Sequence, residues 1–350
     1  MIKPELRKSG SNSGSCPAGR TTASSVLDAV RLSPSDFGLR NSFGVRPSGF
    51  GFLPFFAAFL LCGLSLFAGE SPFVGTPTGR ILAAGDRRVM ILAPTGEVLW
   101  QYPTKLTHDT WMLASGNVLF ADGETVTEVT PDKKVVFQYK ATEQRGGGTY
   151  SCQRLTNGNT MIGENSTGRI LEVDASGQIV FSLQTQPSQM GQHHNLRMVR
   201  KLANGNYLAC HSGARLVKEY TPQGQVVWQV KAPGGLAFAA LRTPQGTTLV
   251  SSLDQITEYD AQGAKVWEFA CKDVAPLVLQ NLTGLHWLAN GHIVSSCYQA
   301  YRGGAGCGLV EISRDGKLAW RYSNPKADGT MMAVELLSQG GQPLPGSCFR

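Results

Sequence analysis

One pattern returns six times along the chain and limits what it can fold into. The copies run Ile91–Trp100, Val126–Phe137, Ile170–Phe181, Val217–Trp228, Ile256–Trp267 and Leu309–Trp320. Each reads as a short apolar run, a polar turn and a second apolar run that ends on Trp or Phe. A glycine stands four residues before the aromatic in five of them, at Gly96, Gly177, Gly224, Gly263 and Gly316, and Lys133 takes that place in the second copy. Glycine enters positive φ without a Cβ clash, so these tips read as tight turns. The flanking β-branched, alternating runs read as half-buried strands.

A second hairpin precedes each of these units. TWMLASGNVLFA from 110, CQRLTNGNTMIG from 152, VRKLANGNYLAC from 199, ALRTPQGTTLVS from 240 and LHWLANGHIVSS from 285 all place a Gly turn between apolar runs. Inner plus outer hairpin makes four antiparallel strands, one propeller blade. Five blades are complete between about 107 and 325. Residues 80–102 supply three strands more, and MMAVELLSQGG from 331 supplies a fourth. The fold expected is therefore all-β: a six-bladed β-propeller over 74–346, closed by the C-terminal strand joining the N-terminal blade. Closure removes the edges that would otherwise pair with other chains.

Residues 1–49 are rich in Ser, Gly and Arg without apolar periodicity and read as a disordered leader. The uncharged stretch 50–69, FGFLPFFAAFLLCGLSLFAG, follows Arg40 and Arg46 and reads as an export signal, with an uncleaved anchor as the alternative. The expected location is periplasmic or extracellular, with membrane contact only through that segment. Of the formal charge of +7, most sits in the leader, which holds seven Lys/Arg and three Asp/Glu in its first 69 residues. No basic cluster interleaved with aromatics appears, so nucleic-acid binding is not expected.

Six cysteines follow the leader, and Cys297 and Cys307 flank the loop YQAYRGGAG on what should be neighbouring strands. In an oxidising compartment a disulfide there is expected. The terminal aromatics should dock between blades, each indole N–H finding a carbonyl near a turn. Glu128, Glu172, Glu219, Glu258 and Glu311 share one repeat position, which argues for blade-to-blade contacts rather than catalysis.

Candidate function rests on two groups. His108, Tyr150, His193, His194 and Asn195 fall at or before inner strands, and His211 falls in a loop between second and third strands. All should gather at one mouth of the channel, where imidazoles can ligate metal or serve as nucleophile and acid/base. No metal site is expected. The second group lies four residues before the Gly of three consecutive inner turns: Arg154, Lys201 and Arg242. With Arg197 and Arg200, these form an expected basic arc for an anionic ligand. Pairing with acids of the next blade is the alternative.

Two resemblances follow from these residues. The turns at Asp174, Asp260 and Asp315, each with a Gly four residues before the closing Phe or Trp, resemble the tryptophan-docking repeats of PQQ-type, quinoprotein-like propellers. His108-Asp109-TWMLASGN resembles the inner strands of arylsulfotransferase-type six-bladed propellers. The second resemblance implies a nucleophilic histidine with further His and an Arg, matched by His108, His194, His286 and Arg197, and an aryl sulfate donor. The first implies PQQ, but PQQ alcohol dehydrogenases have eight blades and an adjacent cysteine pair. This chain has no Cys-Cys, and PQQ is not expected. The function expected is binding of a small anionic ligand or a protein partner through the channel face. The alternatives are an arylsulfotransferase-like transferase and a quinoprotein-like oxidoreductase.

Overall fold

The computed structural model describes residues 71–187, 191–301, 306–326 and 328–345, and the leader and apolar stretch at 1–69 lie outside them. After a short β1 (Phe73–Val74) come β2 (Ile81–Gly85), β3 (Arg88–Leu92) and β4 (Val98–Pro103), which belong to blade 1. Blade 2 is β5 (Asp109–Met112), β6 (Val118–Ala121), β7 (Thr125–Val129) and β8 (Val135–Lys140). Blade 3 is β9 (Thr149–Arg154), β10 (Thr160–Glu164), β11 (Arg169–Val173) and β12 (Ile179–Gln184). Blade 4 is β13 (Val199–Lys201), β14 (Tyr207–His211), β15 (Leu216–Tyr220) and β16 (Val226–Lys231). Blade 5 is β17 (Ala239–Arg242), β18 (Thr248–Ser251), β19 (Gln255–Tyr259) and β20 (Lys265–Ala270). Blade 6 is β21 (Leu282–Trp287), β22 (Ile293–Cys297), β23 (Leu309–Ile312) and β24 (Leu318–Tyr322). Finally β25 (Met331–Leu336) pairs with β2 as the inner strand of blade 1. The molecule is a six-bladed propeller of four-stranded antiparallel sheets, closed as the repeats predicted. A single turn of 3₁₀ helix at Cys271–Val274 is the one helical element among the described residues, and no helix there is long and apolar enough to cross a membrane.

The inner strands are buried on both faces, and in four of the six blades a side chain stitches the inner strand to the backbone of the next. Trp111 Nε1 donates to the Cys152 carbonyl at 2.6 Å. Gln153 Oε1 accepts from the Lys201 amide at 2.9 Å. Glu335 Oε2 accepts from the Met112 amide at 2.8 Å, and His286 Nδ1 accepts from the Leu336 amide at 3.0 Å. These four residues hold one position in four repeats. Each leaves a buried backbone group paired, which the crowded axis demands.

Farther out, the repeat residues make a second blade-to-blade contact. In blades 2 to 6 the shared Glu lies opposite the terminal aromatic across a β-bulge: Glu128 and Phe137, Glu172 and Phe181, Glu219 and Trp228, Glu258 and Trp267, Glu311 and Trp320. A cation from the following blade completes the contact. Arg154 binds Glu128, Lys201 binds Glu172, Arg242 binds Glu219 and Arg314 binds Glu258. The Arg154, Arg242 and Arg314 guanidinia also lie over the rings of Phe137, Trp228 and Trp267. Trp100 and Trp267 each donate Nε1–H to a turn carbonyl of the next blade, Pro131 at 2.8 Å and Arg314 at 2.9 Å.

Blade 6 carries a fifth strand that the sequence reading missed. β1 pairs with β24, Phe73 opposite Tyr322 and Val74 opposite Arg321. Two residues after a proline are too few to read as a strand. Phe73 nonetheless packs on Trp320 and Tyr322 and covers the junction of blades 6 and 1.

The outer turns hold their glycines at positive φ, and Lys133, in the glycine position of blade 2, is forced to the same left-handed conformation at φ 69°. A side chain there costs about 1 kcal/mol. Lys133→Gly is expected to stabilise the protein by up to that amount. Gly177→Ala, at φ 89° with no atom near its Cβ position, should destabilise by a similar amount through the backbone alone. Urea unfolding of both variants checks the pair.

Candidate functional site

The connections that enter β5, β9 and β13 converge on Arg197. The residues just before β13 run across the mouth of the channel, and the Arg197 side chain turns inward to the axis. Its Nη1 donates to His108 Nδ1 of blade 2 at 3.2 Å. Its Nη2 donates to His193 Nε2 at 3.0 Å and to His194 Nδ1 at 3.3 Å. The guanidinium carbon lies 4.6 Å from the ring centre of Tyr150 in blade 3 and 5.8 Å from that of Phe238, which leads into blade 5. His108 packs against Tyr150 with ring centres 3.9 Å apart.

This geometry assigns every imidazole. A guanidinium has donors only, so each ring nitrogen facing Arg197 must offer a lone pair. His108 and His194 therefore carry their proton on Nε2, and His193 carries its proton on Nδ1. From there it donates to the Tyr150 hydroxyl at 2.7 Å, and Tyr150 donates to the Gly146 carbonyl at 3.0 Å. All three rings are neutral. Burial first, and the Arg197 charge second, lower their pKa values: His194 is pushed down to about 4, His193 is lowered and His108 lies well below its ordinary range. No carboxylate is among the hydrogen-bond partners of Arg197 within the described residues, and its buried Nε–H has no acceptor. The site thus holds one buried positive charge among neutral rings.

A second cation beneath it is neutralised. Arg200 donates to both oxygens of Asp109, at 2.7 and 2.9 Å, reaching across the channel from blade 4 to blade 2. Asp109 also accepts from the Cys152 amide at 3.0 Å. Beside the Arg197 guanidinium, His108, Tyr150, Phe238, Thr283 and Met332 line a cavity of about 10 Å³, the room of a single water.

Of the residues the sequence singled out, His108, Tyr150, His193, His194 and Arg197 come together. Asn195 supports them: its Nδ2 donates to the Asn165 carbonyl at 2.9 Å. Asn165 was missed as a site residue. Its buried amide donates to the carbonyls of Gly146, Gly147 and Gln192, tying the Tyr150 loop to the histidine loop. Asp109, Phe238 and Tyr298 were also missed; the Tyr298 phenol lies close enough to act electrostatically on both Arg197 and Tyr150. Asp109 was quoted in the motif His108-Asp109 without a role, and its partner Arg200 was legible only as a nearby cation.

Four expectations are corrected. His286 is not in this cluster; it is fully buried and serves as the stitch from blade 6 to Leu336. His211 is buried away from the axis, with Nε2 against the Tyr220 hydroxyl at 2.7 Å. Arg154, Lys201 and Arg242 lie at the other end of the inner strands, each neutralised by the Glu of the preceding blade, and they form no free basic arc. Cys297 and Cys307 are buried free thiols in hydrogen-bonding contact with each other, and no disulfide joins them. Backbone bonds close that loop instead, Cys297 N–H donating to Gly308 and Gly308 N–H to Tyr322. Among the described residues no group of His, Cys, Asp and Glu is arranged to hold a metal.

These histidines make stability pH-dependent with a definite sign. His108, His193, His194 and His211 all have folded values below the ordinary 6.5, burial being the main cause. The unfolded chain therefore binds protons that the folded chain refuses, so stability is complete above about pH 6.5 and falls as pH drops toward 4. His211, buried and pushed down to about 4, alone accounts for a loss on the order of 3 kcal/mol over that range. Urea midpoints measured from pH 8 to pH 5 should be flat at first and then fall, and His211→Phe should soften the fall.

The comparisons agree with this architecture. A family model described as outer membrane protein assembly factor BamB, of the PQQ_2 repeat type, matches residues 85–234. A protein of unknown function from Bacteroides caccae superposes with a TM-score of 0.66 at 22% identity, over 74% of this chain and 98% of that one. A virginiamycin B lyase from Staphylococcus aureus superposes with a TM-score of 0.50 at 11% identity, over 72% of this chain and 87% of that one. The WD40 propeller domain of Doa1 gives 0.51 at 13%, over 77% and 86%. At these identities the structures speak for the fold alone, and no curated relative matches the sequence. With four-stranded blades in a ring and a docking aromatic closing each outer hairpin, the chain is a six-bladed β-propeller whose blades 1 to 4 are similar to the PQQ_2 repeat type.

Proposed function

We propose that this propeller is an exported binding protein that captures a small anion at the histidine mouth of its channel. The observation that carries the reading is Arg197: a buried guanidinium whose hydrogen-bond partners are all neutral, with its Nε–H unclaimed. A buried charge is costly unless paired. An anion supplied from solution pairs it through charge-assisted hydrogen bonds. Tyr150 and Phe238 flank the guanidinium and hold it flat, and Asn165 and Asn195 fix the loops that bring the imidazoles to it. Export is supported by the uncharged stretch at 50–69 and by the match to an outer membrane assembly factor.

Geometry favours binding over transfer. A nucleophilic His108 needs a ring nitrogen open to substrate, yet its Nδ1 is held by Arg197 and the ring is buried against Tyr150. PQQ does not fit either. The hollow of about 580 Å³ at the opposite mouth is faced by Glu128 and Glu335 as well as Arg154, the wrong balance for a tricarboxylate.

Calorimetric titration with sulfate and with benzoate tests the proposal. Losing the charge-assisted bonds in Arg197→Met should weaken binding by about tenfold or more. Arg154→Met, whose cation is engaged with Glu128, should leave the affinity in place. Equal binding by the Arg197 variant and the unaltered protein would contradict the reading.

A further inference from the structure

We infer that the mouth takes up its ligand as a fully deprotonated oxyanion together with one proton, and that His194 receives the proton; this rests on the anion-binding reading above. In the empty arrangement the Arg197 Nη2 hydrogens point at the lone pairs of His193 and His194. The Nε–H is buried, so an oxyanion that reaches the Nη2 edge of the guanidinium from the mouth claims one of those hydrogens. The imidazole that loses it is left with a lone pair facing a negative charge, and the arrangement is repaired when that nitrogen gains a proton and donates to the anion. The balance is simple: one proton leaves a buffer acid, one N–H bond forms at Nδ1 of His194, and Nε2–H is unchanged.

His194 is singled out by its contacts. Its bond to Arg197, at 3.3 Å, is the longest of the three. His108 is buried against Tyr150, and the second nitrogen of His193 is committed to the Tyr150 hydroxyl. The titratable and charged groups that act on His194 are Arg197 and His193 on its own connection; around Arg197 lie His108 before β5, Tyr150 from β9 and Tyr298 from the connection after β22. Asp109, the acid beneath, is held by Arg200. Without an anion these surroundings disfavour a second charge. An anion at Arg197 reverses that, as an opposite charge within a few ångströms favours the imidazolium.

Sulfate is the probe, because it does not titrate between pH 5.5 and 7.5. Calorimetry at several pH values in that range, in buffers of different ionisation enthalpy, counts protons directly on the unaltered protein. Uptake near one proton is expected, with affinity falling about tenfold per pH unit. His194→Asn keeps an acceptor where Nδ1 stood but cannot gain a proton, so its sulfate affinity should be flat with pH. Absence of sulfate binding at every pH removes the anion-binding reading and this inference with it. Binding with no proton uptake and no pH dependence leaves that reading standing and overturns the inference. Uptake that persists in His194→Asn overturns the assignment to His194.

Discussion

Six strands converging on one axis leave little room, and every polar group there must be answered by a neighbour or by a strand across the ring. That constraint organises the molecule. It puts Asp109 of blade 2 against Arg200 of blade 4, over a distance no local hairpin spans. It also puts His108 and Arg197, 89 residues apart, in one hydrogen bond. Where the two charges match, the axis is closed. Where a guanidinium meets only imidazoles, the axis stays electrically unfinished, and the candidate site is that unfinished layer.

The ring itself is held by a different device. An acid on the third strand, an aromatic opposite it and a cation from the next blade recur between blades 2 and 3, 3 and 4, 4 and 5, and 5 and 6. In each the cation is partly sheltered and lies within hydrogen-bonding reach of the acid, a setting in which ion pairs fix geometry as well as contribute energy. The junction of blades 6 and 1 departs from this rule. There Glu311 takes His292 and the Trp320 indole of its own blade, and β1 with Phe73 covers the seam. Closure thus uses both chain ends, β25 inside and β1 outside.

Much of the fold was legible because a repeat writes itself several times. Gly96, Gly177, Gly224, Gly263 and Gly316 mark turns that the backbone confirms, and even the exception, Lys133, adopts their conformation. The charges were harder. Arg154, Lys201 and Arg242 looked like a binding arc when read alone, yet the Glu they bind recurs with the same period, one blade back. His286 looked like chemistry until its register with Trp111, Gln153 and Glu335 identified it as a stitch. The histidine mouth was half legible. Repeat position put His108, Tyr150, His193 and His194 at one end of the channel, but not the centrality of Arg197. That depends on how far blade 4 sits around the ring, which local spacing does not encode. Asn165 was hidden for the same reason, since its amide matters only once two loops from different blades meet beside it.

The account stands on the protonation of three rings around one guanidinium. Long-range proton–nitrogen NMR of the histidines at pH 6.5 reads it directly. His108 and His194 should appear as neutral rings protonated at Nε2, and His193 as a neutral ring protonated at Nδ1. An imidazolium at any of the three, or the opposite tautomer at His108 or His194, would mean that Arg197 does not hold their lone pairs and that the proposed anion site is not built as described.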